Sequence, residues 1–305
     1  MRSNSLFLLL FSTFVAFSLT SVPGFTSTGL AKKGRASEKP LSIVASIRPL
    51  ALIAQEIAGD VAEVAVLVDG ASSPHDFSLT IRQALKMQDA DLLLKVGSGV
   101  DAFLDDLSVP MPVLALNEKA GAHVHDKKLK VGGGHHHHSH ANTHPWLDVK
   151  QVLHFADKFQ HELSALRPQD EADIALRHKR FRSMLEAAHA ATKQALLAHS
   201  NTPFAVYHDA YSEWVAAYQL AQPYSLTKVP HERLSAKRLN TAGQIMAGAS
   251  CLLVETASEQ DALRIAKLFD IPMVSADILA QRSDIQSFTA FLQEIAKSFQ
   301  RCFEA

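Results

Sequence analysis

The sequence is poor in the residues from which recognisable chemical motifs are built: two cysteines, two tryptophans and four tyrosines in 305 residues. It has no Cys-X-X-Cys pair, which removes the usual structural-zinc and thiol-redox frameworks. His-Glu-X-X-His, Gly-X-Ser-X-Gly, a Walker loop and Gly-X-Gly-X-X-Gly are missing too, and with them the signatures of zinc proteases, α/β hydrolases, NTPases and dinucleotide enzymes. Charge of one sign is also lacking. Thirty basic and 31 acidic residues leave a formal net charge of −1 with His neutral, so there is no electrostatic case for nucleic acid. No apolar run reaches the roughly 20 residues of a spanning helix. The nearest, residues 6–19 behind Arg2, reads as an export signal over residues 1–31, with small residues for cleavage near Gly29-Leu30-Ala31. An uncleaved anchor is the alternative, and a lipid anchor has no Cys near the site. In an exported chain Cys251 and Cys302 most simply form one disulfide. The alternative, a Cys metal site, lacks the close spacing.

What the chain has in excess is histidine. Eight of its 16 His residues fall within residues 123–144: His123, His125, His135, His136, His137, His138, His140 and His144. Neighbouring Lys127, Lys128, Lys130 and the run Gly132-Gly133-Gly134 make residues 121–143 a polar tract that needs no packed core. Neutral imidazole is the commonest nitrogen ligand for borderline metals, so a metal-handling loop is expected. An internal position and the interruption at Ser139 argue against an appended tag.

Short β-branched runs at residues 41–47, 61–68, 92–96 and 112–116 alternate with helical stretches at 51–58 and from a cap at Ser78 to about Ala90. After the His tract, helices are expected over 148–167 and, from Pro168, over 168–200. Asp170, Glu171 and Asp173 suit the dipole at the start of the second helix. Strands return at 204–207, 251–254 and 272–275, with helices at 212–219, 235–247, 259–269 and 284–303. This pattern predicts an α/β fold: two lobes with parallel-rich sheets, spanning 41–147 and 201–305, joined by the long helix. The halves show no sequence repeat.

Ligands of open α/β sheets bind beyond the carboxyl ends of strands. His75, in Gly70-Ala-Ser-Ser-Pro-His-Asp-Phe-Ser78, and His208, in Tyr207-His-Asp-Ala-Tyr211, occupy that edge in different lobes, and His144 closes the His-rich tract. A metal held between lobes would explain ligands from separate parts of the chain. Asp76 and Asp209, adjacent to two of them, are candidates to orient imidazole N–H groups, and Asp209 also suits a helix cap. His154, His161, His178, His189 and His199 read as solvated helix surface.

Several motifs together resemble the cluster A-I (TroA-like) solute-binding proteins of metal ABC importers, specifically the ZnuA type. They are Val44-Ala-Ser46 with Pro49, Gly70-Ala-Ser72 leading to His75-Asp-Phe-Ser-Leu79, Ala90-Asp-Leu92, the His-rich insertion, His144-Pro-Trp-Leu147 and His208-Asp-Ala-Tyr211. The resemblance covers nearly all of the mature sequence. It implies zinc (Zn2+) in an interlobe cleft, with His75, His144 and His208 as ligands, and a disulfide at Cys251 and Cys302. The family often adds an acidic residue after a late strand, where Asp277 stands; a cap for the segment from Ile278 is the other reading of Asp277. Pro74 stands where some zinc-binding members place Glu. Manganese-selective relatives usually carry Glu at the third position, and His208 there argues for zinc. The implied protein is a periplasmic monomer delivering zinc to an ABC transporter membrane permease. A zinc-dependent hydrolase, a metal buffer centred on the His tract and a manganese- or iron-binding relative are the alternatives.

Overall fold

Buried strands that take apolar residues on both faces demand a layer on each side, and both sheets of this protein are built that way. The computed structural model describes residues 39–68, 72–97, 99–105, 107–117, 144–228, 232 and 234–305. The expected export signal and the seven His residues of the 121–143 tract lie outside the described residues. Strands β1 (Leu41–Ile47), β2 (Ala62–Val68), β3 (Leu92–Lys95) and β4 (Val113–Ala115) form a parallel sheet ordered β2-β1-β3-β4. Along β1 the side chains alternate. Ile43, Ala45 and Ile47 enter one core with helix α1 (Arg48–Ala58), whereas Val44 packs with Met87 of α2 (Ile81–Gln88). Thr80, rather than Ser78, caps α2, because Thr80 and Gln83 exchange side-chain and backbone bonds in a capping box.

Helix α3 (Val149–Leu166) and a short turn over Pro168–Asp170 lead into α4 (Glu171–Leu196). At 26 residues α4 is about 39 Å long. Ile174, Phe181, Leu185, Ala188 and Leu196 bury one stripe of it against α1, α3 and the last helix. Arg177 Nε donates to the Ile57 carbonyl (2.8 Å), pinning α4 to the end of α1. Gly59 (φ +58°) follows α1, and a Cβ there would meet the Arg177 side chain at 3.1 Å.

The second sheet repeats the first. Strands β5 (Ala205–His208), β6 (Tyr224–Thr227), β7 (Leu252–Glu255) and β8 (Met273–Ala276) are parallel and ordered β6-β5-β7-β8. Val206 and Leu253 face the core shared with the first sheet. Ala205, Tyr207, Leu252 and Val254 face α6 (Ala236–Met246) and α7 (Glu259–Phe269). Helix α5 (Ser212–Tyr218) lies between β5 and β6, and α8 (Phe288–Phe303) closes the chain. Because one core cluster reaches both sheets, residues Pro40–Ala305 make one compact unit with a helical spine. Strand β6 was not expected. Helix α8 starts at Phe288, capped by Ser287, and not at Asp284, which pairs with the Arg282 guanidinium instead. Cys251 and Cys302 are disulfide-bonded, joining the start of β7 to α8. No described helix is long and apolar enough to cross a membrane.

Candidate metal centre

In each sheet the first strand is flanked by the second and third, so the order in which strands are added reverses beside it and a crevice opens at the carboxyl edge. His208 is the last residue of β5, and Glu255 ends β7 beside it. His75 sits in a single turn, Pro74–Asp76, that follows β2; the Ser73 hydroxyl accepts from its backbone N–H. His144 immediately precedes the turn Pro145–Leu147 that leads into α3. These three chain segments converge. One ring nitrogen from each of His75, His144 and His208 lies within 4.8 Å of the other two, and among the described residues no carboxylate joins this group. Ring centroids are 5.5 Å apart for His75–His144, 5.7 Å for His75–His208 and 5.0 Å for His144–His208.

The pocket is buried enough to control protonation. His144 and His208 are each 1% exposed, and His75 is half-buried. Burial, followed by the neighbouring His208, lowers the pKa of His75 to about 4. Burial first, then His208 and His75, puts that of His144 well below 6.5. Both imidazoles are therefore neutral at neutral pH and have lone pairs to offer. His75 Nε2 is buried with no hydrogen-bond partner. An orphaned buried acceptor of this kind costs free energy unless something occupies it, and a divalent cation fits that need.

Trp146 packs edge-on against His144 and donates Nε1–H to the Ile278 carbonyl at 2.7 Å. This ties the His144 segment to the loop after β8. Arg48 holds the same loop from the other half, donating to the carbonyls of Arg282 and Ile285. Asp277 lines the pocket, but its two oxygens accept from the backbone N–H groups of Gln281 and Arg282, each at 2.9 Å. These bonds tie a turn and are not the helix cap expected from Ile278, since the next helix starts only at Phe288. Asp209 accepts from the Ser212 hydroxyl rather than from an imidazole. Asp76 is exposed, and its charge opposes the lowering at His75. Among the helical histidines, His178 bonds Asp157 and His189 bonds the Tyr218 hydroxyl, so neither is simply solvated.

Sequence reasoning missed Glu255. It is 3% exposed, and its Oε1 is 3.3 Å from His208 Nδ1. Burial works against its charge, yet the His208 imidazole and the Ser258 hydroxyl hold the carboxyl below its usual value. The available signal was a charged residue closing the apolar run Leu252-Leu-Val-Glu255.

A family model described as the periplasmic zinc-uptake complex component A, ZnuA, matches residues 43–302. The chain belongs to this family. The high-affinity zinc uptake system protein ZnuA of Haemophilus ducreyi is 28% identical over 299 residues, covering 90% of this chain and 96% of that protein. Its counterpart in Yersinia pestis is 25% identical over 293 residues, with coverage of 86% and 91%. Among solved structures, a ZnuA crystal structure matches with a TM-score of 0.71 at 21% identity, covering 88% of this chain and 99% of that one. The periplasmic zinc-binding protein TroA of Treponema pallidum matches with 0.73 at 14% identity, covering 87% and 99%. At these identities the structural matches carry the fold: two α/β lobes with a helical spine.

Proposed function

We propose that this family member captures zinc in the periplasm and delivers it to the membrane permease of an ABC importer, without itself being an enzyme. The observation that carries the reading is the convergence of His75, His144 and His208, one ring nitrogen each, in a largely buried pocket. Three neutral imidazoles suit tetrahedral zinc, whose fourth position then falls to water. Asp277 enters this proposal as the residue that shapes the pocket wall, since its oxygens already hold the 281–282 backbone. The names of the relatives from Haemophilus ducreyi and Yersinia pestis support zinc as cargo. Release requires the two halves to part, because the ligands come from both.

In this reading the His-rich tract is an accessory, weaker metal loop. Ordering a glycine-rich segment around an ion costs conformational entropy that a folded pocket has already met. The test is a zinc titration of the mature chain with and without residues 121–143. Retention of one tight site after deletion is expected. Loss of that site, with His144 still in place, would transfer the function to the tract.

A further inference from the structure

We propose that Glu255 is a positioning residue for the pocket: its carboxylate takes Nδ1–H of His208, leaving Nε2 as the lone-pair nitrogen that meets the ion. The proposal rests on reading the pocket as the zinc site. Strand pairing sets up the juxtaposition. β5 and β7 run in register, Ala205 with Leu252 and Val206 with Leu253. Carried two residues further, that register brings His208 beside Glu255 at the carboxyl edge. Both side chains are almost fully buried, and Nδ1 lies 3.3 Å from Oε1. The approach is too oblique for a formed hydrogen bond, and both Nδ1 and Oε2 lack a hydrogen-bond partner. A small rotation of the imidazole would align donor and acceptor.

The carboxylate itself is held in place. Ser258, in the turn that leads into α7, donates its hydroxyl to Oε1 at 2.6 Å. The described residues lining the pocket include no lysine or arginine, so the natural partner for this buried acceptor is the imidazole N–H. A neutral imidazole has one N–H and one lone pair, and an ionised carboxylate only accepts. Facing Glu255, His208 is therefore fixed as the Nδ1–H tautomer. Such an outer carboxylate sets the ring orientation and raises the basicity of the ligating nitrogen. In the other half, the acidic sequence neighbour of His75 is Asp76, which is exposed.

The test uses the full mature protein, 15N-labelled at histidine, first without metal. The proposal expects wild-type His208 to show a protonated Nδ1 and an unprotonated Nε2 at pH 7.5. Glu255→Gln should mix the tautomers and lower zinc affinity about 10- to 100-fold in a chelator competition, with Glu255→Asp recovering part of the loss. An unprotonated Nδ1 in the wild type overturns the proposal, whether or not any variant folds. So does a Glu255→Gln variant that keeps both the tautomer and the affinity. Cobalt-loaded protein separates positioning from direct ligation: a changed coordination number in Glu255→Gln with the tautomer intact would make Glu255 a ligand and overturn the inference. Absence of zinc binding by the wild type would instead defeat the reading of the pocket, which the metal-free tautomer measurement does not depend on.

Discussion

The two halves share one topology and build their parts of the pocket differently. Each sheet has its first strand between the second and third, yet the first half supplies His75 and His144 from turns outside the ladder. The second half supplies His208 from the end of a strand that is paired on both sides, with Glu255 behind it. A ladder position fixes both backbone neighbours, whereas a turn is held by local bonds such as that of Ser73 to His75 N–H. The second half is thus the preorganised wall, and the first brings two ligands to it. Identical topology does not dictate an identical way of holding a ligand.

The contrast can be broken most forcefully at the disulfide, which among the described residues cross-links only the second half. Its loop length corresponds to about 4 kcal/mol in the chain-entropy view. Removal as C251S/C302S should then lower Tm by about 10 °C, measured by calorimetry on the metal-free protein. An unchanged Tm would mean that the preorganised half does not depend on its cross-link.

Next come the ligands. Replacing His208 by Ala should cost about 100-fold in zinc affinity, or about 2.7 kcal/mol, with the fold retained. His75→Ala and His144→Ala should each cost at least roughly tenfold, because the turns that carry them can adjust. Isothermal titration with a competing chelator distinguishes these values. Equal losses at all three positions would erase the asymmetry, and wild-type binding in any variant would remove that residue from the site.

The pH response belongs to the first half. With His75 lowered to about 4 and His144 well below 6.5, the unfolded chain binds protons between about pH 6.5 and pH 4 that the native metal-free protein does not. Native stability therefore falls as pH falls through that window and is fully present above it. Denaturant midpoints at pH 7.5 and 5 measure the loss. Zinc bound at these two nitrogens displaces few protons above about pH 5, so affinity should decline less than three ordinary imidazoles would require. A loss approaching three protons per zinc between pH 7.5 and 5 would contradict the lowered values.

The smallest effect is expected at Asp277. Its bonds to Gln281 and Arg282 are local, so Asp277→Asn should cost about 1–2 kcal/mol of stability and less than roughly threefold in zinc affinity. A tenfold affinity loss, about 1.4 kcal/mol, would make Asp277 a ligand.

Much of this was legible in the sequence because the local signals are strong. Continuous apolar runs gave seven of the eight described strands, and strand-end placement together with family resemblance singled out His75, His144 and His208. The missing strand, Tyr224–Thr227, is four residues long and half-buried at its start, at a sheet edge, with no alternation to betray it. A shift of one residue in β5 brought His208 into the strand rather than beyond it. The start of α8 was misjudged because Ser287, and not the acidic Asp284, makes the cap. Glu255 was missed for a deeper reason: a charge closing an apolar run does not say what it faces, and its neighbour His208 is set by strand order across the sheet. The sequence neighbours Asp76 and Asp209 drew attention instead.

The central claim is that one zinc ion sits among three imidazoles contributed by both halves. Anomalous diffraction at the zinc edge, on crystals of the mature protein loaded with one equivalent of zinc, tests it directly. A single strong peak is expected about 2.0–2.1 Å from one ring nitrogen each of His75, His144 and His208. A principal peak elsewhere, or one bonded to fewer than these three residues, would contradict it.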